Sequence, residues 1–433
     1  MQRAAQAAAQ LAQQLAGREV LVVAGPGNNG GDARLMADIL RQQFFRVRLV
    51  SSPDELPREA AWGLVVDGLF GIGLVREIDG AHARLVDYIN QQHCPVLALD
   101  IPSGLHADTG RVLGRAVRAT HTITFIALKP GLLTLDGPDH CGEITVADLG
   151  LEVTEPCAWE ASHELFAGQL KRRPRNFHKG RAGTLGVIGG AAGMTGAALL
   201  AARAALRLGA GRVRVGLLDT HLVVDPGAPE LMLAPADVVL GAELDALVVG
   251  PGLGQSERAE TLLGAALTSE LPCVLDADAL NLIAEDPDLR HACARRKAET
   301  IITPHPAEAG RLLGSSTAAV QADRVKAARM LCENLNAHTV LKGEGSILVA
   351  RDGHWFVNRT GNPGMASAGM GDVLAGVLGA LLGQGYTGET ALVLGVHLHG
   401  AAADELARSG VGPIGMTASE VIDAARRLWN TWL

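Results

Sequence analysis

Aromatic residues are scarce in this chain, at 3% of 433 residues. Few stacking rings make a poor platform for the bases of a single-stranded nucleic acid. A basic excess is missing as well: 38 Lys and Arg stand against 46 Asp and Glu, a net charge of −8, the wrong sign for a polyanion binder. No apolar run reaches the about 18 residues that a membrane-spanning helix needs. The softest, residues 373–382, gives way to Gly383-Gln384-Gly385. The six cysteines (Cys94, Cys141, Cys157, Cys273, Cys293, Cys332) form no C-x-x-C pair. That excludes a disulfide framework or a zinc ribbon and suits the reduced thiols of a cytoplasmic protein. The opening MQRAAQAAAQLAQQL lacks the continuous apolar core of a signal peptide. Neither a nucleic acid nor a membrane is therefore an expected partner.

Glycine is what the chain has in excess, 53 of 433 residues, against a typical share of about 7%. The glycines show no G-x-y period, which excludes collagen. With 48% hydrophobic and 19% charged residues, the chain is not disordered. At about 100–200 residues per domain, two or three domains are expected. Excess glycine with few rings points to tight backbone loops around phosphate-bearing ligands. Of the 53 glycines, 26 fall in or beside the motifs described below.

The clearest seam is the basic stretch 171–181, KRRPRNFHKGR. The acidic excess lies before it: 13 basic against 20 acidic residues in 1–170, then 25 against 26. A Pro-interrupted, solvated linker is the expected reading of this stretch, with contact to nucleic acid or a phosphorylated substrate as alternatives. On both sides short β-rich runs alternate with helical patterns. In the first half strands are expected at 19–24, 45–50, 63–66, 96–99 and 122–126, with a helix over 32–45. In the second they are expected at 185–188, 212–217, 246–249, 273–275, 300–302, 339–341 and 346–350, with helices over 196–208, 323–335 and 373–382. This alternation predicts parallel α/β sheets with ligands beyond the strand C-termini.

Gly25-Pro26-Gly27-Asn28-Asn29-Gly30-Gly31-Asp32 lies between a strand and a helix. Its glycines match the dinucleotide spacing G-x-G-x-x-G, but the next strand ends in Ser51-Ser52, not in the acid that would hold a ribose. What remains is a backbone able to wrap an anion at a helix start, with Asp32 as a helix cap being the alternative. Asp67 and Asp100 end two further strands, before DGLFGIGL and IPSGL. Three carboxylates on one sheet edge suit acid–base chemistry or a hard cation.

In the second half, GTLGVIGGAAGMTG is a strand running into a glycine loop, and Gly250-Pro251-Gly252-Leu253-Gly254 follows another strand. Asp276 and Asp278 end another, suited to metal-bound phosphates or, for Asp278, to helix capping. His305, between two prolines, is rigid enough for a ligand contact. Lys342-Gly343-Glu344-Gly345-Ser346 offers a cation in a glycine turn, where a plain hairpin is the alternative. Strongest is TGNPGMASAGMGD, residues 360–372. The amides of Gly369, Met370 and Gly371 can form an anion hole, and Asp372 beside them can take a proton from an attacking hydroxyl.

GPGNNGGD, VDGLFGIGL and LDIPSGL in this order resemble NAD(P)H-hydrate epimerase domains. The resemblance implies that Asn28, Asn29, Gly30, Gly31 and Asp32, with Gly71, Ile72, Gly73, Leu74, Val75, Arg76 and Glu77, hold the hydrated dinucleotide. It further implies that Asn29, Asp67 and Ser103 ligate K⁺ and that Asp100 contacts the substrate as acid and base. Ala33 replaces a usual glycine, and the helical segment before these motifs is shorter than in that family, with consequences for packing or dimer contacts. The motifs GPGLG, DADALN, TPHPAE, LKGEGS and GNPGMASAGMGD resemble the ribokinase-like superfamily, in particular its NAD(P)H-hydrate dehydratases. That implies substrate contacts at Ala197, Gly252, Gly254, His305 and Asp372, and adenine-nucleotide contacts at Lys342, Gly343, Glu344, Gly345, Ser346 and Gly371. Met370 stands where that family has threonine.

Together these resemblances imply a Rossmann-like three-layer αβα domain over 1–165 and a ribokinase-like α/β domain over 166–433. The implied partners are hydrated NADH and NADPH and the co-substrate ADP with Mg²⁺, in a cytoplasmic homo-oligomer. A ribokinase-like small-molecule kinase fused to a dinucleotide-binding module is the alternative, and a non-catalytic sensing role for the first half is another.

Overall fold

The structure, a computed structural model, describes residues 1–15, 17–57, 61–156 and 158–433. It divides into two compact units, Met1–Pro156 and Cys157–Leu433.

The first unit is one six-stranded sheet: β1 (Glu19–Ala24), β2 (Arg46–Val50), β3 (Leu64–Gly68), β4 (Val96–Leu99), β5 (His121–Phe125) and β6 (Glu143–Ala147). All pairs are parallel, in the order β2-β1-β3-β4-β5-β6. Side chains of a strand alternate between faces, and β1 shows the result. Val20, Val22 and Ala24 join a core with the helices Gln2–Leu15 and Asn28–Gln42. Leu21 and Val23 join another with the helix Gly80–Asn90. Two cores on opposite faces of one sheet make the expected three layers. Chain order reverses beside β1, and β1 and β3 are neighbours at that switch point, the usual place for a ligand.

The second unit has ten strands: β7 (Ala158–Glu160), β8 (Thr184–Gly189), β9 (Arg212–Leu217), β10 (Met232–Pro235), β11 (Ala246–Val249), β12 (Cys273–Leu275), β13 (Thr300–Ile302), β14 (His338–Leu341), β15 (Ser346–Val349) and β16 (Trp355–Asn358). Their order is β10-β9-β8-β11-β12-β13-β14-β15-β16-β7. Among the described residues only the β14–β15 and β15–β16 pairs of this sheet are antiparallel. The helix Met370–Gly383 is buried on nearly every side, as an all-round apolar helix must be. That accounts for the soft apolar run: it belongs to a core.

Two expectations change. β7 pairs with β16, so the division falls after Pro156 and not between 165 and 166. The basic stretch is exposed at every residue but Phe177, as a solvated linker is, but it joins β7 to β8 within the second unit, and two of its cations have partners there. Lys171 lies 4.3 Å over the Tyr386 ring and donates to the Gly385 carbonyl at 2.9 Å. Arg173 donates to Gly209 O and Gln384 Oε1 at 2.6 and 2.8 Å and stacks on Phe177. Both side chains lie exposed along the surface of the second unit.

Candidate active sites

In the first unit the loops after β1, β3, β4 and β5 meet at one sheet edge. Asn29, in the first turn of the helix Asn28–Gln42, points back at the strand ends. Its Nδ2 donates to the carbonyls of Phe70 and Leu99 at 2.9 and 3.1 Å, while its buried Oδ1 has no partner. Asp67 is fully buried. Its Oδ1 accepts from Ser103 Oγ at 2.7 Å and from the Leu69 amide at 3.2 Å, and its Oδ2 accepts from the Ser103 amide at 2.8 Å. Burial still pushes the Asp67 carboxyl up to about 6. Phe70 ties the three together, since its amide donates to Ser103 Oγ at 2.8 Å and its carbonyl receives Asn29. The expected cation ligands thus come from three strand ends to one place. A buried anion and an orphaned amide oxygen are the donor chemistry that a hard cation accepts.

Asp100 follows β4 in a left-handed conformation, φ 66°. Its Oδ1 accepts from Lys129 Nζ at 2.6 Å. Asp32 does not end β1 and caps nothing: it lies inside the helix, buried, with Oδ1 making no hydrogen bond and lying 3.9 Å from the Met1 amino group. Burial raises its pKa, the Met1 amino group opposes the rise and the charge of Asp100 adds to it. A Cβ on Gly71 would fall 3.3 Å from Asp100 Oδ2 and 3.4 Å from Asn29 Cβ, so the loop 71–77 borders both. Ile72, Gly73, Val75, Arg76 and Glu77 are exposed there, and so is Asn28, the first residue of the helix Asn28–Gln42. Leu74 departs from expectation. It is buried in the apolar core, which takes its side chain out of reach of a ligand.

In the second unit the β8 and β11 loops are zipped together. Gly190 and Ala191 donate their amides to the carbonyls of Pro251 and Gly252 at 3.1 and 2.7 Å. A Cβ on Gly252 would fall 2.4 Å from Met194 O. Ala197 sits in the first turn of the helix Thr195–Arg207, and the Gly254 amide donates to Asp278 Oδ2 at 2.8 Å. His305 is more structural than its sequence setting suggests. Its Nδ1 accepts from the amides of Ala307 and Glu308 at 3.1 and 3.4 Å, closing a capping box with Glu308. Its Nε2, 3.2 Å from Glu308 Oε1 on a half-exposed ring, is the nitrogen left for a ligand.

Lys342 Nζ pairs with buried Asp276 at 2.9 Å, and the Lys342 amide donates to Pro304 O at 2.9 Å. Burial opposes the lysine's charge, but the carboxylates of Asp276, Glu308 and Asp372 raise its pKa on balance. Gly369 caps the helix Met370–Gly383 at φ 87°. A Cβ on Gly371 would fall 3.2 Å from Lys342 Nζ and 3.5 Å from Asp276 Oδ2. Next to it, the Asp372 carboxyl is pushed up to about 6 by burial and by Asp276, with Asp278 adding and Lys342 opposing.

A cavity of about 530 Å³ opens beside this turn, lined by Gly371 and by Lys342, Gly343, Glu344, Gly345 and Ser346. Its size suits a small-molecule pocket. Ala197, Gly252, Gly254, His305 and Asp372 do not line it, so the two expected sets of contacts meet at Gly371–Asp372. Met370 is buried and forms part of the wall. Thr360, at the start of the motif 360–372, lines it too, as do Asn358 and His399, which carry no motif. His399 is buried, and burial with the Lys342 charge lowers its pKa to about 4. A histidine on an apolar helix face is invisible as a site residue in sequence, and so is Lys129, an isolated cation before Pro130.

The second unit, with its strand-end pocket next to a glycine turn and a helix start, has a ribokinase-like α/β fold. It has 22% identity and a TM-score of 0.57 to a ribokinase-like superfamily protein of Enterococcus faecalis, covering 65% of this chain and 99% of that one. The ADP/ATP-dependent NAD(P)H-hydrate dehydratase of Bacillus subtilis, co-crystallised with ATP and Mg²⁺, is 30% identical at a TM-score of 0.56, covering 64% and 99%. The family model for NAD(P)H-hydrate dehydratase matches residues 185–427, and that for the YjeF-related protein N-terminus matches residues 1–64 and 54–131. The bifunctional NAD(P)H-hydrate repair enzyme of Coxiella burnetii is 39% identical over 99% of this chain and 94% of its own length. That of Escherichia coli is 39% identical over 95% and 85%. The chain belongs to the family of bifunctional NAD(P)H-hydrate repair enzymes. No helix among the described residues is long and apolar enough to cross a membrane.

Proposed function

We propose that the first unit interconverts the R and S epimers of hydrated NADH and NADPH, and that the second dehydrates the S epimer at the expense of ADP. The observation that carries this reading is the turn Gly369–Asp372, a raised carboxyl next to backbone amides at the mouth of the 530 Å³ cavity. Hydroxide is a poor leaving group, so dehydration in a kinase-like pocket begins by phosphorylating the hydroxyl. Asp372 takes the proton of the C6 hydroxyl, and the oxygen attacks the β-phosphorus of ADP and displaces AMP. The amides at Gly369–Gly371 hold the charge on the transferring group. The ring nitrogen then expels phosphate from C6 and a proton leaves C5, giving NAD(P)H, AMP and phosphate. Ala197, Gly252, Gly254 and His305 hold the hydrated dinucleotide; Lys342–Ser346 and Gly371 hold the adenine nucleotide. Mg²⁺ carried by the nucleotide supplies charge neutralisation at its phosphates.

In the first unit Asn28–Asp32 and the loop 71–77 hold the substrate, the latter through Leu74's backbone only. Asn29, Asp67 and Ser103 hold K⁺, which supplies a fixed positive charge beside the substrate. Asp100 moves the proton of epimerisation. The test is incubation of the chain with mixed R and S hydrate plus ADP or ATP. Release of AMP and phosphate from ADP only when hydrate is present, with recovery of the reduced-cofactor absorbance, is the expected result. Accumulation of a stable phosphorylated product would point instead to a small-molecule kinase.

A further inference from the structure

Lys129, outside every motif of the sequence, organises the first site. It follows β5 at the entrance to the turn Pro130–Leu133, with its side chain 16% exposed. An ammonium group has three donors and no acceptor. All three are used: on Asp100 Oδ1 at 2.6 Å, on Thr124 Oγ1 at 2.8 Å and on the Phe125 carbonyl at 2.8 Å. The lysine therefore has no N–H left for a substrate.

Its effect falls on Asp100. A non-glycine residue in the left-handed region needs its surroundings to hold it there. Here the Asp100 amide donates to Ile123 O at 2.7 Å, while Lys129 takes one carboxylate oxygen. The other, Oδ2, is the oxygen facing Gly71 and the loop 71–77.

We infer that Lys129 is a positioning residue for epimerisation: by holding Asp100 Oδ1 it leaves Oδ2 as the one oxygen that moves the proton. In that step Oδ2 takes the proton of the C6 hydroxyl as the bond between C6 and the ring nitrogen opens, and hands it to that nitrogen. Reclosure on the opposite face returns the proton by the same route, with no net change in atoms or electrons.

The inference rests on the epimerase reading, and the experiment separates the two. The full chain is assayed in saturating KCl, so that an added amine does not act by filling a cation site, and R-to-S conversion is followed by NMR. Wild type is expected to interconvert the epimers and Asp100→Asn is not; a wild type without epimerisation overturns the epimerase reading itself. Given an active wild type, Lys129→Met is expected to lower kcat about 100-fold with KM changed less than about two-fold. Lys129→Ala is expected to regain about ten-fold in propylammonium and nothing in tetramethylammonium, which has no N–H to donate. A purely structural lysine gives no such selectivity. Retained kcat in Lys129→Met, or a response of Lys129→Ala that is equal for the two amines, overturns the positioning role.

Discussion

Asp372 combines position and environment in one residue. It stands third in its helix, and its carboxyl is raised to about 6 by burial and then by Asp276, with Asp278 adding and Lys342 opposing. A base must be ionised to act, so dehydration is expected to hold steady above that pH and to fall about ten-fold per unit below it. Asp276→Asn removes a negative neighbour and frees Lys342, and both changes favour ionised Asp372; the acid limb moves to lower pH. Asp372→Asn is expected to lose about 10²- to 10⁴-fold in kcat for dehydration while epimerisation continues, read by following both reactions on one sample. The orphaned Asn29 Oδ1 and buried Asp67 lead to another expectation. Replacing NaCl by KCl raises the melting temperature of the first unit by about 2–8 °C, and Asp67→Asn abolishes the difference. Asp67 and Asp276 were legible in sequence because each closes a strand run, and Asp372 because a glycine turn leads to it at a helix start. Lys129 and His399 were not, because their significance lies in partners distant along the chain.

At the scale of elements, glycine has two employments that sequence cannot tell apart. Gly369 bends the chain into the helix start of the cavity. Gly25 and Gly30, in the first phosphate-like loop, serve packing: a Cβ on either would fall 1.9 Å from a carbonyl oxygen, of Leu69 and of Gly25 respectively. Ala33, where the resembling family has glycine, packs against Gly68, whose own missing Cβ makes the room. Gly376 lets the helices Met370–Gly383 and Thr195–Arg207 touch, since a Cβ there would fall 2.1 Å from Ala201 O. Gly376→Ala is expected to destabilise the second unit by about 1–3 kcal/mol, measured as a lower denaturant midpoint with an unchanged slope. The expected strands inside the sheets have counterparts close to their stated bounds, because a buried parallel strand is a continuous apolar run. β6 and β10 went unread, being largely exposed edge strands without such a run. β7 went unread because it has three residues and gains its place only by pairing with β16.

On the scale of the whole molecule, each unit has its own sheet and its own core. Residues 1–156 and 157–433 are expected to fold separately, the first retaining epimerisation and the second dehydration of the S epimer. A chain starting at 166 loses β7, with Trp159 against Phe356 at 5.6 Å and the Ala161 amide on Val357 O at 2.9 Å. It is expected to be less stable than one starting at 157 by about 2 kcal/mol, seen in denaturant titration; equal midpoints would refute the assignment of β7. The sequence by itself determined the α/β class, the two-part organisation and the loops that carry the chemistry, because strand runs, helix periods and glycine turns are local along the chain. Only the tertiary structure decided where the first unit ends, which glycines line the cavity and which abut a neighbouring backbone, and that Leu74 belongs to the core. It alone brought Lys129 to Asp100 and His399 to the cavity. Those outcomes depend on distances between residues far apart in the chain, which are set when the sheets are assembled.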